Sequence, residues 1–164
     1  MKRQKRKFDR PLKLWNKARI EEEKKLLRDY GLRRKHEIWR AESILRNYRR
    51  IARSLAARKD KEKEKTLLDK LFKMGLIKKD ASLDDALALT IEKILDRRLQ
   101  TLVFRKGLAH TLKQARQYIV HGHIAIDSRK IAWPSKIVEV NEEGKIGFYE
   151  KSKIKLGEKI EKTA

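Results

Sequence analysis

Three of the four histidines, His110, His121 and His123, lie in the stretch RKGLAHTLKQARQYIVHGHIAID. Histidine suits metal binding and proton transfer near neutral pH, but a zinc site on a helix needs a spacing such as H-x-x-x-H or H-E-x-x-H, which this stretch lacks. Asp127 is the only carboxylate in residues 105–130. We therefore expect no metal and no cofactor. Two interpretations of the histidines stay open, namely packing at a helix–strand corner, and stacking on a nucleic-acid base or donating to a phosphate.

The chain carries a large excess of positive charge, with 45 Lys and Arg against 23 Asp and Glu and a net charge of +22. The excess lies in residues 1–59 (22 basic, 7 acidic) and in residues 97–136 (9 basic, 1 acidic), whereas the remaining segments are nearly neutral. Such charge predicts a polyanionic partner. A membrane partner is not expected, because no apolar run approaches the roughly 18–20 residues of a spanning helix. Nucleic acid is therefore the expected partner.

An enzyme is not expected from the motifs. The sequence has no cysteine, no Gly-rich phosphate loop, no G-x-S-x-G elbow and no cluster of paired carboxylates. These are the residue patterns that nucleophilic, phosphoryl-transfer and acid–base chemistry commonly use. We therefore expect neither catalysis nor a small-molecule substrate.

The strongest helical pattern covers residues 33–58. Its apolar residues recur every three or four positions and predict one buried face: Ile38, Ala41, Leu45, Tyr48, Ala52 and Leu55. A second stripe consists of arginines alone: Arg46, Arg49, Arg50 and Arg53. A solvated cationic face and a short coiled coil are the alternatives, but four arginines with no carboxylate among them repel one another in water and favour an anionic partner. Arg33, Arg34 and Lys35, at the start of this helix, are further candidate RNA contacts.

The second basic segment is expected on two helices and a hairpin. RRLQTLVFRKG predicts a short helix that ends at Gly107, and Thr111 with Gln114 forms a T-x-x-Q capping box for a second helix that ends at Gly122. After Gly122 the apolar period drops to two, so HIAID, RKIAW, KIVEV and KIGFY predict short strands separated by DSR, PS and NEEG turns. The candidate RNA contacts in this segment are Arg97, Arg98, Arg105, Lys106, Lys113, Arg116, Gln117, His121, Arg129 and Lys130.

These patterns predict an α+β fold, with a mainly α-helical N-terminal part and a compact module of two helices and a small antiparallel sheet. In the N-terminal part, Asn16 caps a helix that ends at Gly31, and Thr66 opens a helix that ends at Gly75. Ser82 opens another helix that includes ALALTIEKIL, and DKEKEK is a charged linker or a solvated helix end. Residues 1–11 are expected to be unstructured in the free protein.

Two stretches resemble a known family. RRLQTLVFRKGLAHTLKQARQYIVHGHIAID, followed by PSKIV, closely resembles the RNA-binding module named after small-subunit ribosomal protein S4. YGLRRKHEIWRAESILRNYRR resembles the N-terminal helical region of the archaeal and eukaryotic members of that family. The resemblance covers about residues 10–140 and implies an RNA face made of Arg98, Arg105, Thr111, Gln114, Arg116, His121–His123 and Lys130. The chain has Thr111-Leu112 where many members have Ser-Arg, and I-D-S where V-N-G is common.

The resemblance also implies a function. It suggests a structural constituent of the cytoplasmic small ribosomal subunit that binds 16S-type rRNA directly, on the 5′ part of that RNA. Such a protein nucleates assembly of the subunit body and contributes to translational accuracy. The implied partners are the rRNA and neighbouring small-subunit proteins near the mRNA entry side. A biogenesis factor of the same family, absent from mature subunits, is the alternative. An RNA-modifying enzyme would need a further catalytic domain, which we do not expect within these 164 residues.

The expected domain organisation has four parts. Residues 1–15 form a basic N-terminal tail, and residues 16–96 form the α-helical ribosomal N-terminal region. Residues 97–149 form the S4-type RNA-binding domain, and residues 150–164 form a charged C-terminal tail.

Overall fold

The computed structural model of the protein describes residues 7–13 and 15–152, and over these ranges the chain has the predicted α+β fold. The chain divides into two compact units, Met1–Leu95 and Asp96–Ala164. The first contains only helices in its described part, and the second combines short helices with a three-stranded sheet. None of the described helices has both the length and the apolar composition needed to cross a lipid bilayer.

The N-terminal unit is built around its longest helix. Its helices are α1 (Lys17–Asp29), α2 (Lys35–Arg58), α3 (Lys61–Lys73), α4 (Leu83–Leu87) and α5 (Ile91–Asp96), whose last residue belongs to the second unit. Helix α2 packs against α1, α3 and α4. Its predicted apolar face is buried except at Tyr48, which is half-buried and donates its hydroxyl to Met74 Sδ at 3.3 Å. The predicted seam is therefore the core of this unit rather than a coiled-coil contact.

The predicted cap of α1 is confirmed, and two other helix boundaries differ from the prediction. Asn16 Oδ1 accepts the Arg19 amide at 3.4 Å. Helix α3 begins at Lys61, so DKEKEK belongs almost wholly to the helix and Thr66 is an interior residue whose hydroxyl donates to the Glu62 carbonyl. The prediction of one helix through ALALTIEKIL was wrong, because α4 ends at Leu87 and α5 begins at Ile91. At this break Arg49 Nη2 donates to the Leu89 carbonyl at 2.6 Å. Leu89 lies between α4 and α5, and its carbonyl is bonded to a side chain of α2.

The second unit is the predicted two-helix module. It contains α6 (Leu99–Arg105), α7 (Leu112–Val120), β1 (Ile124–Ile126), β2 (Arg129–Lys130), α8 (Val140–Glu143) and β3 (Ile146–Phe148). The antiparallel sheet has the order β2-β1-β3, with Ile126 opposite both Arg129 and Ile146. Its core combines both main helices with the sheet: Leu99, Leu102, Val103, Ala109, Ala115, Ile119, Ile124, Ile126, Ile131, Val138 and Ile146.

The predicted strand KIVEV and the NEEG turn were wrong. Within KIVEV, Ile137 forms a single β-bridge, with Arg98, flanked by hydrogen bonds from Leu99 N to Lys136 O and from Val138 N to Arg97 O. Glu139 then caps α8, which occupies most of NEEG. This segment therefore pairs with the chain just before α6 and never joins the sheet.

The DSR turn between β1 and β2 is confirmed. Asp127 and Ser128 both have positive φ, 51° and 65°, as the two central residues of a type I′ hairpin turn require. The I-D-S sequence therefore keeps the left-handed backbone at both turn positions.

Candidate nucleic-acid interface

Thr111 and Gln114 fix the start of α7. Thr111 Oγ1 accepts the Gln114 amide at 3.1 Å, which confirms the first half of the capping box. The second half was wrong in detail, because Gln114 Oε1 accepts the amide of His110, at 2.7 Å, instead of that of Thr111. Gln114 Nε2 also donates to Tyr118 Oη at 2.7 Å. Both ends of the Gln114 side-chain amide thus bond within the region of its own helix, and they support the helix start.

Helix α7 presents a polar face to solvent. Lys113, Gln117 and His121 are exposed, whereas Ala115 and Ile119 are buried. This is the division that the apolar spacing predicts. The exposed face carries positive charge and hydrogen-bond donors suitable for phosphate and sugar contacts.

Arg116 is held by a buried glutamine, Gln100, which was not among the candidate residues. Gln100 is 1% exposed on α6, and its Nε2 donates to the Leu112 carbonyl at 3.0 Å. Its Oε1 accepts from Arg116 Nη1 at 3.3 Å. The one signal for this role in the sequence is that Gln100, like Thr101, is a polar residue inside the otherwise apolar run LQTLVF. The hydrogen bond from Arg116 to the buried Gln100 helps to orient the half-buried Arg116 guanidinium.

The basic residues around α6 fall into two groups. Arg97 donates to Glu143 Oε2 at 2.6 Å and to the Val138 carbonyl at 2.9 Å, and Arg98 is 5% exposed. Arg105 and Lys106 are exposed, although Arg105 Nη2 pairs with Asp96 Oδ1 at 2.5 Å and Lys106 Nζ bonds to the Glu143 carbonyl. Arg97 and Arg98 are therefore interior supports in the structure. Arg105 and Lys106 remain predicted contacts on its surface.

The two histidines of the H-G-H corner have different surroundings. His123 is half-buried, its Nδ1 lies 2.9 Å from Ser152 Oγ, and its ring meets Tyr118 edge-on at 6.2 Å. His121 is exposed. His123 thus matches the packing interpretation of the sequence, whereas His121 remains a predicted RNA contact. Within the described ranges, no group of three or more His, Cys, Asp or Glu residues is arranged to hold a metal ion.

Gly122 and Lys130 lie together at this corner. Gly122 has a φ of +75°, and a Cβ at this position would overlap Lys130 Cε. The Lys130 stem therefore lies over the glycine, which places its ammonium beside the end of α7. Arg129 is exposed next to it on the edge strand β2. The nearby carboxylate of Asp127 is paired with Lys145 Nζ at 3.3 Å.

The arginine stripe of α2 is exposed at three of its four members. Arg46, Arg50 and Arg53 are exposed and, with the half-buried Arg49, line an open cleft of about 560 Å³. Arg49 is committed in part to the Leu89 carbonyl, as described above. Among the described residues that line the cleft, Glu42 is the one carboxylate. Burial, together with the negative charge of Glu23, raises the pKa of Glu42. With four arginines among its lining residues, the cleft is cationic.

Other basic residues at the start of α2 belong to a separate cluster. Lys35 Nζ lies 3.0 Å from Glu23 Oε2, and Glu23 is 2% exposed. Trp39 Nε1 donates to Glu23 Oε1 at 2.9 Å, and Arg19 Nε lies 3.3 Å from the same oxygen. The exposed side chains of Arg33 and Arg34 precede α2. Glu23 lies three residues after Ile20 and four before Leu27, so helical spacing places it on the apolar face of α1, whereas Glu21 and Glu22 are exposed.

The described part of the N-terminal tail contacts α2. The Phe8 ring packs on His36 and Trp39, with centroid distances of 4.9 and 6.0 Å. The Asp9 amide donates to Ser43 Oγ, and its carboxylate pairs with Arg46 at 3.3 Å. The expectation of an unstructured tail was therefore wrong for these two residues. Residues 1–6, which the same expectation covered, lie outside the described residues.

Both units match families of known proteins. Residues 97–143 match the S4 domain, and residues 1–96 match the ribosomal protein S4/S9 N-terminal domain. The chain is 49% identical over 154 residues to small ribosomal subunit protein uS4 of Methanothermobacter thermautotrophicus, covering 92% of this chain and 90% of the relative. It is 49% identical over 158 residues to the proteins of the same name in Saccharolobus solfataricus, covering 94% and 87%, and in Metallosphaera sedula, covering 94% and 88%. The chain therefore belongs to the S4 family of small-subunit ribosomal proteins.

Proposed function

We propose that this chain is a structural constituent of the small ribosomal subunit that binds 16S-type rRNA directly. The observation that carries the proposal is an exposed cationic surface in each unit of a member of this family. In the N-terminal unit it consists of Arg46, Arg50 and Arg53, and in the second unit of Lys113, Arg129 and Lys130. RNA is the polyanion that such surfaces neutralise.

The proposed mechanism is electrostatic and shape-based. Exposed Arg and Lys side chains neutralise phosphates and release their counterions, which supplies affinity and makes it depend on salt. Phosphate contacts fix the position of the protein, and sequence is recognised at unpaired nucleotides. Arg97 and Gln100 contribute indirectly in this mechanism, because they hold the scaffold on which the exposed cations lie.

The role in assembly follows from the same physics. Where several RNA helices converge, their phosphates repel one another, and a protein that neutralises them stabilises the junction. The chain would in this way nucleate assembly of the subunit body in the cytoplasm. A position near the mRNA entry side, with neighbouring ribosomal proteins as partners, would let it contribute to translational accuracy. This role needs no catalytic step.

The proposed division of labour follows the expected domains. Residues 16–96 supply the arginine surface of α2, and residues 97–149 supply the S4-type RNA-binding surface. Residues 1–15 and 150–164 would be the two tails predicted from the sequence, of which residues 1–6, 14 and 153–164 lie outside the described residues. The Phe8 and Asp9 contacts with α2 support a role for the first tail in covering that helix.

Quantitative mass spectrometry of fractionated ribosomes tests the proposal. We expect the chain at one copy per mature small subunit, in proportion to other subunit proteins. Presence only in precursor particles would instead identify a biogenesis factor and contradict the proposal. Crosslinking to RNA in lysate, followed by sequencing of the attached fragments, should recover 16S-type rRNA.

A further inference from the structure

We propose that Trp133 is a stacking platform for an unpaired base of the bound RNA. The inference rests on the proposed function and deepens it by naming a residue that recognises a base rather than a phosphate. Trp133 follows β2 in the loop formed by residues 131–138, IAWPSKIV.

The exposure of Trp133 contrasts with that of its neighbours. Its residue surface is 69% exposed, whereas Ile131 and Val138, at the two ends of the loop, are 8% and 0% exposed. The loop therefore sorts its apolar residues, with both ends packed in the core and the largest side chain turned to solvent. An exposed tryptophan keeps a large apolar ring in contact with water, so covering the ring with a flat partner is favourable. It is thus available for a ligand without any rearrangement of the core.

The loop that carries Trp133 is firmly anchored. Ile131 N donates to Ile124 O at 3.1 Å, and Val138 N donates to Arg97 O at 2.9 Å, which ties down both ends. Between them, Leu99 N donates to Lys136 O at 2.8 Å, and Lys136 N donates to Trp133 O at 3.2 Å. The backbone that presents the indole is thereby ordered in advance, so binding costs little loop entropy.

The surroundings of Trp133 favour RNA as the occupant. The exposed cations Arg129 and Lys130 lie on the strand that leads into the loop. Pro134 O accepts from Gln100 N at 3.4 Å, and the side chain of Gln100 bonds to Arg116. The loop is thus connected on both sides to the basic residues of the module. Cations that track the phosphates beside an aromatic ring that stacks a base are the usual components of a single-strand binding site.

The test measures the affinity of the full chain for a transcript of the 5′ part of 16S-type rRNA, across a salt series. Trp133→Ala removes the ring, Trp133→Leu keeps apolar volume without a π face, and Trp133→Phe keeps a stacking ring. We expect the Ala and Leu variants to bind roughly 5- to 100-fold more weakly, and the Phe variant to retain most of the affinity. The salt slope should stay unchanged in all three, because no charge is removed.

Tryptophan fluorescence supplies a second measurement that does not depend on affinity. The transcript should quench the emission of the wild-type chain more than that of Trp133→Phe, and the difference is the signal of Trp133. Unchanged melting temperatures would show that the variants fold, as the exposure of the side chain leads us to expect.

The outcomes separate the inference from the proposed function. If the wild-type chain binds the transcript and Trp133→Ala binds equally well, the inference is wrong while the proposed function stands. Full affinity in Trp133→Leu, or an equal loss in Trp133→Phe and Trp133→Ala, would also overturn stacking, the first of these in favour of a purely apolar contact. If the wild-type chain itself fails to bind the transcript, the proposed function fails and the inference fails with it.

Discussion

Glu23 shows how a single buried carboxylate can organise the N-terminal unit. Burial on its own would raise the pKa of Glu23, but the hydrogen bonds from Trp39 and Lys35 and the charges of Lys35 and Arg19 outweigh it. The pKa is therefore held below its ordinary value of 4.5. Because the folded state favours the charged form, this carboxylate stabilises the fold above that pH, and its contribution is lost as the pH falls through the folded pKa.

The first prediction is that Glu23→Gln destabilises the N-terminal unit and flattens its acid dependence. At neutral pH we expect a loss of about 1–3 kcal/mol, because the amide cannot satisfy the same cationic donors. Below pH 4.5, where the wild type loses the stabilisation that Glu23 provides, the two proteins should converge. Thermal unfolding followed by tryptophan fluorescence measures both effects, since Trp39 contacts Glu23.

Glu22→Gln is the matched control, because Glu22 is an exposed neighbour on the same helix. It should unfold like the wild type at every pH. An equal effect of the two substitutions would show that the acid dependence comes from net charge rather than from the buried contacts.

Ser128 occupies a backbone position that suits glycine. Its φ of 65° lies in the left-handed region, which disfavours a side chain. The second prediction is that Ser128→Gly stabilises the second unit by about 1 kcal/mol. Denaturant unfolding checks the value, and Ala132→Gly, at an exposed position without positive φ, should be neutral or destabilising. A loss of stability in Ser128→Gly would contradict the strain at this turn.

Sequence patterns predicted which segments carry the basic surface, but they could not distinguish basic residues that are buried from those that are exposed. Arg98 and Arg105 look equivalent in sequence, yet Arg98 is buried while Arg105 is exposed. Burial depends on the segment 136–138, which pairs with the chain before α6 across more than thirty residues of sequence. No local pattern encodes that pairing, so the interior role of Arg98 was not predictable.

Helix α2 combines two functions on neighbouring faces, and Leu45 of the apolar seam also lines the arginine cleft. Its apolar seam forms the core of the N-terminal unit, and its arginines form the proposed RNA surface. Arg49 joins the two, because its guanidinium bonds to Leu89 O between α4 and α5. Truncation of the Arg49 side chain would leave the Leu89 carbonyl without this hydrogen bond. We therefore expect Arg49 to contribute more to the stability of the unit than Arg46, Arg50 and Arg53 do.

The third prediction compares adjacent arginines. Arg49→Met should lower the free energy of unfolding by about 1.5–3 kcal/mol, because it removes a charge-assisted hydrogen bond to a buried segment. Arg50→Met should change it by less than about 0.5 kcal/mol, because Arg50 is exposed. In binding assays corrected for the fraction of folded protein, we expect the opposite order, with Arg50→Met binding RNA more weakly than Arg49→Met. Equal stability of the two variants would show that the Leu89 bond contributes nothing.

The helices with strong periodicity and clear caps were predictable, whereas the short elements were not. Asn16, Gly75, Gly107 and Gly122 mark helix boundaries that the structure confirms. The break at Leu89 was missed because the Leu89 carbonyl bonds to Arg49, forty residues away in sequence. The short helix α8 was missed although its signal is local, since Glu139 and Glu142 form a capping box at its start.

At the scale of the whole molecule, a net charge of +22 is distributed over both units. The exposed cations repel one another in the free protein, and bound RNA would relieve that repulsion. The same charge makes any nucleic acid attractive, so affinity alone does not identify the surface. The RNA-binding surface is identified by the positions at which removing a positive charge lowers the number of counterions released on binding.

The decisive measurement is the salt dependence of binding to a transcript of the 5′ part of 16S-type rRNA. It compares charge-matched triple variants: Arg46, Arg50 and Arg53 to Gln; Lys113, Arg129 and Lys130 to Gln; and, as a control, the exposed Lys61, Lys65 and Lys73 of α3 to Gln. We expect the first two to weaken binding and to reduce the slope of log affinity against log salt by about 2, at roughly 0.7–0.9 for each lost phosphate contact. The α3 control should keep the wild-type slope. Equal slopes in all three variants, or a loss confined to the control, would contradict the proposed RNA surfaces.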